Sequence, residues 1–206
     1  LSDAGDIYKG SYQGLYCIGH EAFITDKDME GDVCAIHKTT PEQIEEENYF
    51  FALSRYTPRI KEAIRTGEIV ILPETRRNEA MMMLEDAGDI SFSRPSKDIS
   101  WGIPVPNDAS ATMYVWCDAL SNYISALGYG TSDDAQFKKY WPADVQVIGK
   151  DILRFHAVIW PAMLLAAGLP LPKRLFVHGW INIKGDKMSK SLGNTINPEM
   201  LIQSYG

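Results

Sequence analysis

Cysteine is scarce, three in 206 residues, and an odd number without regular spacing excludes a small disulfide-framed secreted scaffold. No apolar run approaches the ~20 residues that a helix needs to cross a bilayer. The first residues, Leu1-Ser2-Asp3-Ala4-Gly5-Asp6, lack both an initiating methionine and the basic-then-apolar pattern of a signal peptide. Basic residues are outnumbered, 20 against 27 acidic, and the net charge of −7 argues against broad, sequence-independent nucleic-acid binding. There is no internal repeat, no low-complexity stretch and no Gly-x4-Gly-Lys-Ser/Thr phosphate loop. What remains is a globular chain of a reducing compartment, expected in the cytoplasm.

With 45% apolar residues the chain can build one ordinary domain or two small ones. The first and second hundred residues read differently, and a boundary is expected at 98/99. Residues 8–40 form a turn-rich segment punctuated by Gly10, Gly14, Gly19 and Gly31. The acidic opening at Glu42 and the spacing of Tyr49, Phe50, Leu53 and Tyr56 predict a helix to Arg65, broken near Pro58. A second helix is expected over Glu74–Ala87, its methionines in the core. From Ile99 onward short apolar strands alternate with helices. Met113–Cys117, Val145–Gly149 and Leu175–Gly179 read as strands, with helices over Asp118–Leu127 and Ile152–Ala167. That alternation predicts an α/β fold with a parallel sheet, whose ligands bind beyond the carboxyl ends of the strands.

Four clusters carry candidate chemistry. Lys187-Met188-Ser189-Lys190-Ser191, between Gly185 and Gly193, suits a loop that closes over a polyphosphate, or a solvated turn. Cys17-x2-His20 and Cys34-x2-His37 supply four N/S donors with spacing suited to tetrahedral zinc, the alternative being four unrelated side chains. Cys117 stands apart and reads as a small buried hydrophobe. Trp116, Ala119, Leu120 and Tyr123 frame an apolar niche that suits a thioether, or pack in the core. Gly149 allows close backbone approach and Asp151 can accept ribose hydroxyls or cap a helix. Ile152 and His156, one turn apart, face the same way, and a lone histidine there is either functional or a satisfied structural group.

The strings Tyr49-Phe50-Phe51, Arg76-Arg77-Asn78-Glu79, WGIPVP (101–106), YVWCDALSNY (114–123), IGKDILRFH (148–156), LFVHGW (175–180) and KMSKSLGN (187–194) resemble, in order, the methionyl-tRNA synthetase family of class I aminoacyl-tRNA synthetases. The resemblance implies the second half of a Rossmann-type catalytic sheet over 99–206. It also implies a connective-peptide insertion over 1–98, with a zinc knuckle at about 14–40 in which His20 replaces the usual cysteine. Cys17-Ile18-Gly19-His20 looks like a degenerate HIGH motif, but its turn-rich setting and its Cys34 counterpart make it half a knuckle. The implied activity is ATP-dependent, Mg²⁺-assisted formation of methionyl-adenylate and transfer to tRNA. The resemblance places Lys187 and Lys190, with Met188, Ser189 and Ser191, on the phosphates. It sets Gly149 and Asp151 on the ribose and His178 and Gly179 near adenine. Trp116, Ala119, Leu120, Tyr123, Ile152 and His156 would hold methionine. The space between the knuckle and WGIPVP is too short for the editing domain of the leucine, isoleucine and valine enzymes. The HIGH half and the anticodon domain are not in the sequence, so a fragment inactive alone is expected. A standalone, non-catalytic binding or regulatory relative is the alternative.

Overall fold

The computed structural model describes residues 1–18, 22–24, 28–97, 99, 101–188 and 193–206. The chain opens with strand β1 (Ile7–Cys17), followed by the short strands β2 (Ala22–Ile24), β3 (Met29–Glu30) and β4 (Val33–Cys34). Strand β5 (Glu42–Phe51) then runs antiparallel to β1 along almost its whole length, from Tyr16↔Glu42 to Ile7↔Phe51. Residues 8–40 are therefore less irregular than their glycines suggested.

The same strand corrects the helix expected from Glu42. The acidic run resembles a helix N-terminus locally, but cross-strand pairing with β1 decides the conformation, as context commonly does for such segments. Phe51 is buried, whereas Glu45 and Glu47 stay exposed. The helix begins only at α1 (Thr57–Thr66), where Pro58 lies in the first turn, a position at which its missing N–H costs nothing. Ile60, Ala63 and Ile64 form its buried stripe, and Gly67 ends it at φ +79°.

Strand β6 (Val70–Leu72) and α2 (Glu74–Glu85) follow. Ala80 and Leu84 are buried in α2, but Met82 is exposed, contrary to the expected core role of that methionine. Strand β7 (Ile90–Ser91) joins the edge of β5 to complete a four-stranded sheet ordered β2-β1-β5-β7. A second antiparallel sheet, ordered β8-β10-β9, is built from β8 (Ser93–Pro95), β9 (Pro104–Val105) and β10 (Asp108–Met113). Asp108 links the two sheets, accepting from the Tyr49 hydroxyl at 2.8 Å and pairing with Lys9 at 3.1 Å.

The strand expected at Met113–Cys117 is corrected. Strand pairing stops at Met113 in this antiparallel sheet, and α3 (Val115–Ser125) starts two residues later with Val115 exposed. Trp116 thus belongs to the first turn of a helix.

After α4 (Ala135–Tyr140), β11 (Gln146–Gly149) enters a parallel sheet. A helical segment follows it: a 3₁₀ turn at Lys150–Ile152, a wide π turn at Phe155–Ile159, then α5 (Trp160–Ala166). Strand β12 (Arg174–His178) pairs in parallel with β11, from Gln146↔Leu175 to Gly149↔His178, and on its other side with β6. The sheet thus takes one strand from before residue 99. Ile60, Ile71 and Leu84 share a core with Ile148, Leu153 and Leu175, so the core does not divide at 98/99. A hairpin, β13 (Asn182–Ile183) and β14 (Asp186–Lys187), and a terminal helix α6 (Pro198–Tyr205) complete the fold. Among the described residues no helix is long and apolar enough to cross a membrane.

Candidate functional site

The first site forms where α3 meets the π turn after β11. The expected group of Trp116, Tyr123, Ile152 and His156 comes together there. His156 is only 2% exposed, and both of its nitrogens are used. A carbonyl can only accept, so Nδ1 carries the proton and donates to the Ile152 carbonyl at 3.0 Å. Nε2 then accepts from the Tyr123 hydroxyl at 2.9 Å. Burial pushes the imidazole pKa below its ordinary value, against a smaller opposing effect of the Ile152 carbonyl, and burial raises that of Tyr123. Both directions favour the uncharged form of the pair at neutral pH.

Trp116 meets the His156 ring edge-on, with centroids 6.3 Å apart, and Tyr123 does so at 5.6 Å. Ala119 is exposed beside them, while Leu120 is fully buried in the core and presents no surface. The sequence reading missed Phe155, which stacks on Trp116 at 3.8 Å and 12°, and Trp160, 6.0 Å from Tyr123. Phe155 is adjacent to His156 in the sequence, and Trp160 lies four residues further on. In a regular helix Phe155 points about 100° away from His156, and the π turn over Phe155–Ile159 alters that spacing locally. Neighbouring Cys117 is no nucleophile: burial, then the charge of Asp118, pushes its thiol up to about 11.

The second group lies at the carboxyl ends of β11 and β12, where Gly149 pairs with His178. A Cβ on Gly149 would come within 2.6 Å of Asp151 Oδ1 and 3.6 Å of His178 Cε1, so the missing side chain is what lets these groups converge. Asp151 is exposed and has no hydrogen-bond or ion-pair partner among the described residues. His178 Nδ1 donates to the Gly179 carbonyl at 2.7 Å. Lys150 lies 4.8 Å over the ring of Trp180, at the root of the β13–β14 hairpin. That hairpin ends on Lys187, and Met188 N donates to the Ile181 carbonyl at 2.8 Å, which brings Met188 back to the start of the hairpin. The Lys187 side chain and Ser189, Lys190 and Ser191 lie outside the described residues.

The third group is Cys17, Cys34 and His37, whose donor atoms all lie within 4.8 Å of one another. His37 Nδ1 is 3.7 Å from each sulfur, and His37 N donates to Cys34 Sγ at 3.4 Å. Zinc–sulfur and zinc–nitrogen bonds of about 2.3 and 2.05 Å at the tetrahedral angle set S and N roughly 3.6 Å apart, so the spacing fits that ion. Among the described residues the local core comprises Cys17, Ile24 and Cys34 with Leu15 and Met29, small enough to need a cross-link. The fourth expected donor, His20, lies outside the described residues.

Residues 27–206 match the family model described as tRNA synthetases class I (M). Over its whole length the chain is 50% identical to a methionine–tRNA ligase of Caldanaerobacter subterraneus subsp. tengcongensis and covers 32% of it. Against the corresponding ligase of Thermotoga maritima the identity is 45%, with 33% of that protein covered. The chain thus spans about a third of the length of these curated relatives. The fold matches the crystal structure of Mycobacterium tuberculosis methionyl-tRNA synthetase bound by methionyl-adenylate. The TM-score is 0.81 at 42% identity, covering all of this chain and 41% of the other.

Proposed function

Because this chain belongs to the methionyl-tRNA synthetase family of class I, we propose that it is part of a methionine–tRNA ligase and holds the methionine pocket and much of the ATP site. The observation that carries the reading is the neutral Tyr123–His156 pair walled by Trp116, set beside the carboxyl ends of β11 and β12. Aromatic faces and a fixed, uncharged polar edge suit a thioether. Trp116, Ala119, Tyr123, Ile152 and His156 line that pocket, and Leu120 backs it from the core.

In the proposed reaction the methionine carboxylate attacks the α-phosphate of ATP, and pyrophosphate leaves. Gly149 and Asp151 hold the ribose, and His178 and Gly179 flank the adenine. Lys187 and Lys190, with Met188, Ser189 and Ser191, stabilise the charge that develops on the phosphates, with Lys190 the stronger. Positioning and charge stabilisation carry such a transfer. Mg²⁺ arrives with ATP as its phosphate complex. The methionyl group then passes to the 3′ end of tRNA, in the cytoplasm.

Cys17, Cys34 and His37, with His20 as the fourth donor, would hold zinc, which supplies a structural cross-link there and takes no part in the reaction. We assign β6, β11 and β12 to one half of a Rossmann-type sheet that another part of a longer protein completes. Among the described residues no strand pairs with the outer edge of β11, and that edge and an exposed apolar face support the assignment.

Methionine-dependent ATP–pyrophosphate exchange, with leucine and isoleucine as controls, tests the reading. Exchange specific to methionine supports the pocket, whether it needs the upstream half supplied in trans or not. No exchange even with that half present sinks it and favours a non-catalytic relative.

A further inference from the structure

From the Tyr123–His156 pair the ring contacts continue into the core. Trp160 packs on Tyr123 with centroids 6.0 Å apart, and Trp141 meets Trp160 edge-on at 5.8 Å and 71°. Phe137, half-buried, stacks on Trp141 in turn at 6.4 Å and 14°. The two tryptophans are held differently. Trp160 is buried, and its Nε1–H has no hydrogen-bond partner among the described residues, so its ring is placed by packing. Trp141 is anchored, because its Nε1–H donates to the Pro170 carbonyl at 2.9 Å. Trp141 stands between α4 and β11, and Pro170 between α5 and β12, at the amino ends of two neighbouring parallel strands. Lys173 N donates to the Ala143 carbonyl at 2.9 Å across the same two connections, so the anchor belongs to the framework of the sheet. Tyr123 needs such support. It is 38% exposed on α3, and its hydrogen-bond partner stands on a different element, so nothing local to α3 holds the hydroxyl against His156.

We propose that Trp141 is a positioning residue for the methionine niche, acting through Trp160 on the Tyr123 hydroxyl. Pinned to Pro170, Trp141 presents an edge against the Trp160 ring, and such edge-to-face pairs favour one mutual orientation. Trp160, with no hydrogen bond of its own among the described residues, takes its place from that contact and passes it to Tyr123. The hydroxyl then meets His156 Nε2 at 2.9 Å. A residue at the amino ends of the strands thereby sets the polar edge of a site near their carboxyl ends. That the niche holds methionine rests on the proposed function; the placement of the hydroxyl does not.

The test reads the ring nitrogens of His156 by nitrogen NMR on the 206-residue chain, at a pH above the imidazole pKa. His156→Gln assigns the Nε2 resonance, and Tyr123→Phe gives its position once the bond is lost. Trp141→Phe removes the N–H and shrinks the ring, and it should move Nε2 towards the Tyr123→Phe position. Pro170 is exposed, so water can take the place of the lost donor and the variant keeps its fold. Phe137→Leu, a milder change that loosens Trp141 from its other neighbour, should move Nε2 the same way by less. Ile64→Ala opens a cavity beside α1 outside the ring series and should leave Nε2 where it is. Nε2 unmoved by Trp141→Phe, or moved as far by Ile64→Ala, would overturn the proposal. In methionine-dependent pyrophosphate exchange, with the upstream half supplied where it is needed, Trp141→Phe should raise the KM for methionine up to about tenfold. The kcat and the KM for ATP should stay within about twofold. Equal rises in both KM values would overturn the link to the niche. The nitrogen shift needs no substrate, so its failure and the failure of the proposed function are separable.

Discussion

The Tyr123 hydroxyl donates to His156 Nε2 across 2.9 Å, and this bond ties α3 to the π turn. Tyr123→Phe keeps the ring and removes the donor, leaving a buried nitrogen unsatisfied. The expected cost is about 1–3 kcal/mol, read as a lower urea midpoint at unchanged m-value. An unchanged midpoint would show that the bond contributes nothing to the fold.

The same pair gives stability a direction with pH. Burial holds the folded-state pKa of His156 below its unfolded value of about 6.5, so the unfolded chain binds the proton first as pH falls. This contribution is fully present above pH ~6.5 and declines as pH drops below it, by no more than about 1.4 kcal/mol per pH unit for one proton. It levels off once the folded imidazole also titrates. Urea melts at pH 7.5 and 5.5 should show the loss, and His156→Gln should shrink it; a difference untouched by that substitution would assign the effect to other groups.

How far the sequence reaches is clear from individual segments. Val145–Gly149 and Leu175–Gly179 were legible as parallel strands because each is a short apolar run ending in glycine, and both appear within a residue of the expected bounds. Glu42–Phe51 was not, because its paired residues lie 26 to 44 positions upstream, from Tyr16↔Glu42 to Ile7↔Phe51, and no local feature announces the pairing. The strand expected at Met113–Cys117 failed for the opposite reason: an apolar string looks the same in a strand and in the first turn of a helix. Trp116, Tyr123 and His156 could be chosen by spacing and type. Phe155 could not, because a π turn leaves no mark in composition.

The knuckle should respond to metal. Zinc at 100-fold above its dissociation constant is expected to stabilise the chain by about 2.7 kcal/mol, and a chelator to reverse this. Cys34→Ser should abolish the response, since that sulfur also accepts from His37 N. Metal content by mass spectrometry alongside thermal melts decides the matter. His20→Ala tests the fourth donor: retention of a full complement of zinc would exclude His20 from the set.

Gly149 offers a cleaner probe of the strand ends. Its backbone, at φ −75° and ψ 152°, is open to any residue, so Gly149→Ala strains nothing by itself. The new Cβ would meet Asp151 Oδ1, the movable end of a side chain, at 2.6 Å. The fold should therefore stay within about 0.5 kcal/mol of the parent while the carboxylate is displaced. If Asp151 holds ribose, the KM for ATP in pyrophosphate exchange should rise on the order of 10- to 100-fold, with methionine's KM little changed. Equal rises for both substrates would argue against an Asp151 role confined to the nucleotide.

One face of the parallel sheet is bare. Val147, Phe176 and Leu72 stand in register across β11, β12 and β6, at 66%, 46% and 40% exposure, while Ile148, Leu175 and Ile71 on the opposite face are buried. Beside them the outer edge of β11 carries no partner strand among the described residues. An apolar row next to an open edge is a template for association. Sedimentation should accordingly show self-association that grows with concentration, and Val147→Lys should suppress it without lowering the thermal midpoint, because the side chain it replaces lies outside the core. A polypeptide that completes the sheet should suppress it too, by occupying both surfaces at once. If the chain stays monomeric at high concentration, the face and edge are not association surfaces, and the case for a completing partner rests on the family relationship alone.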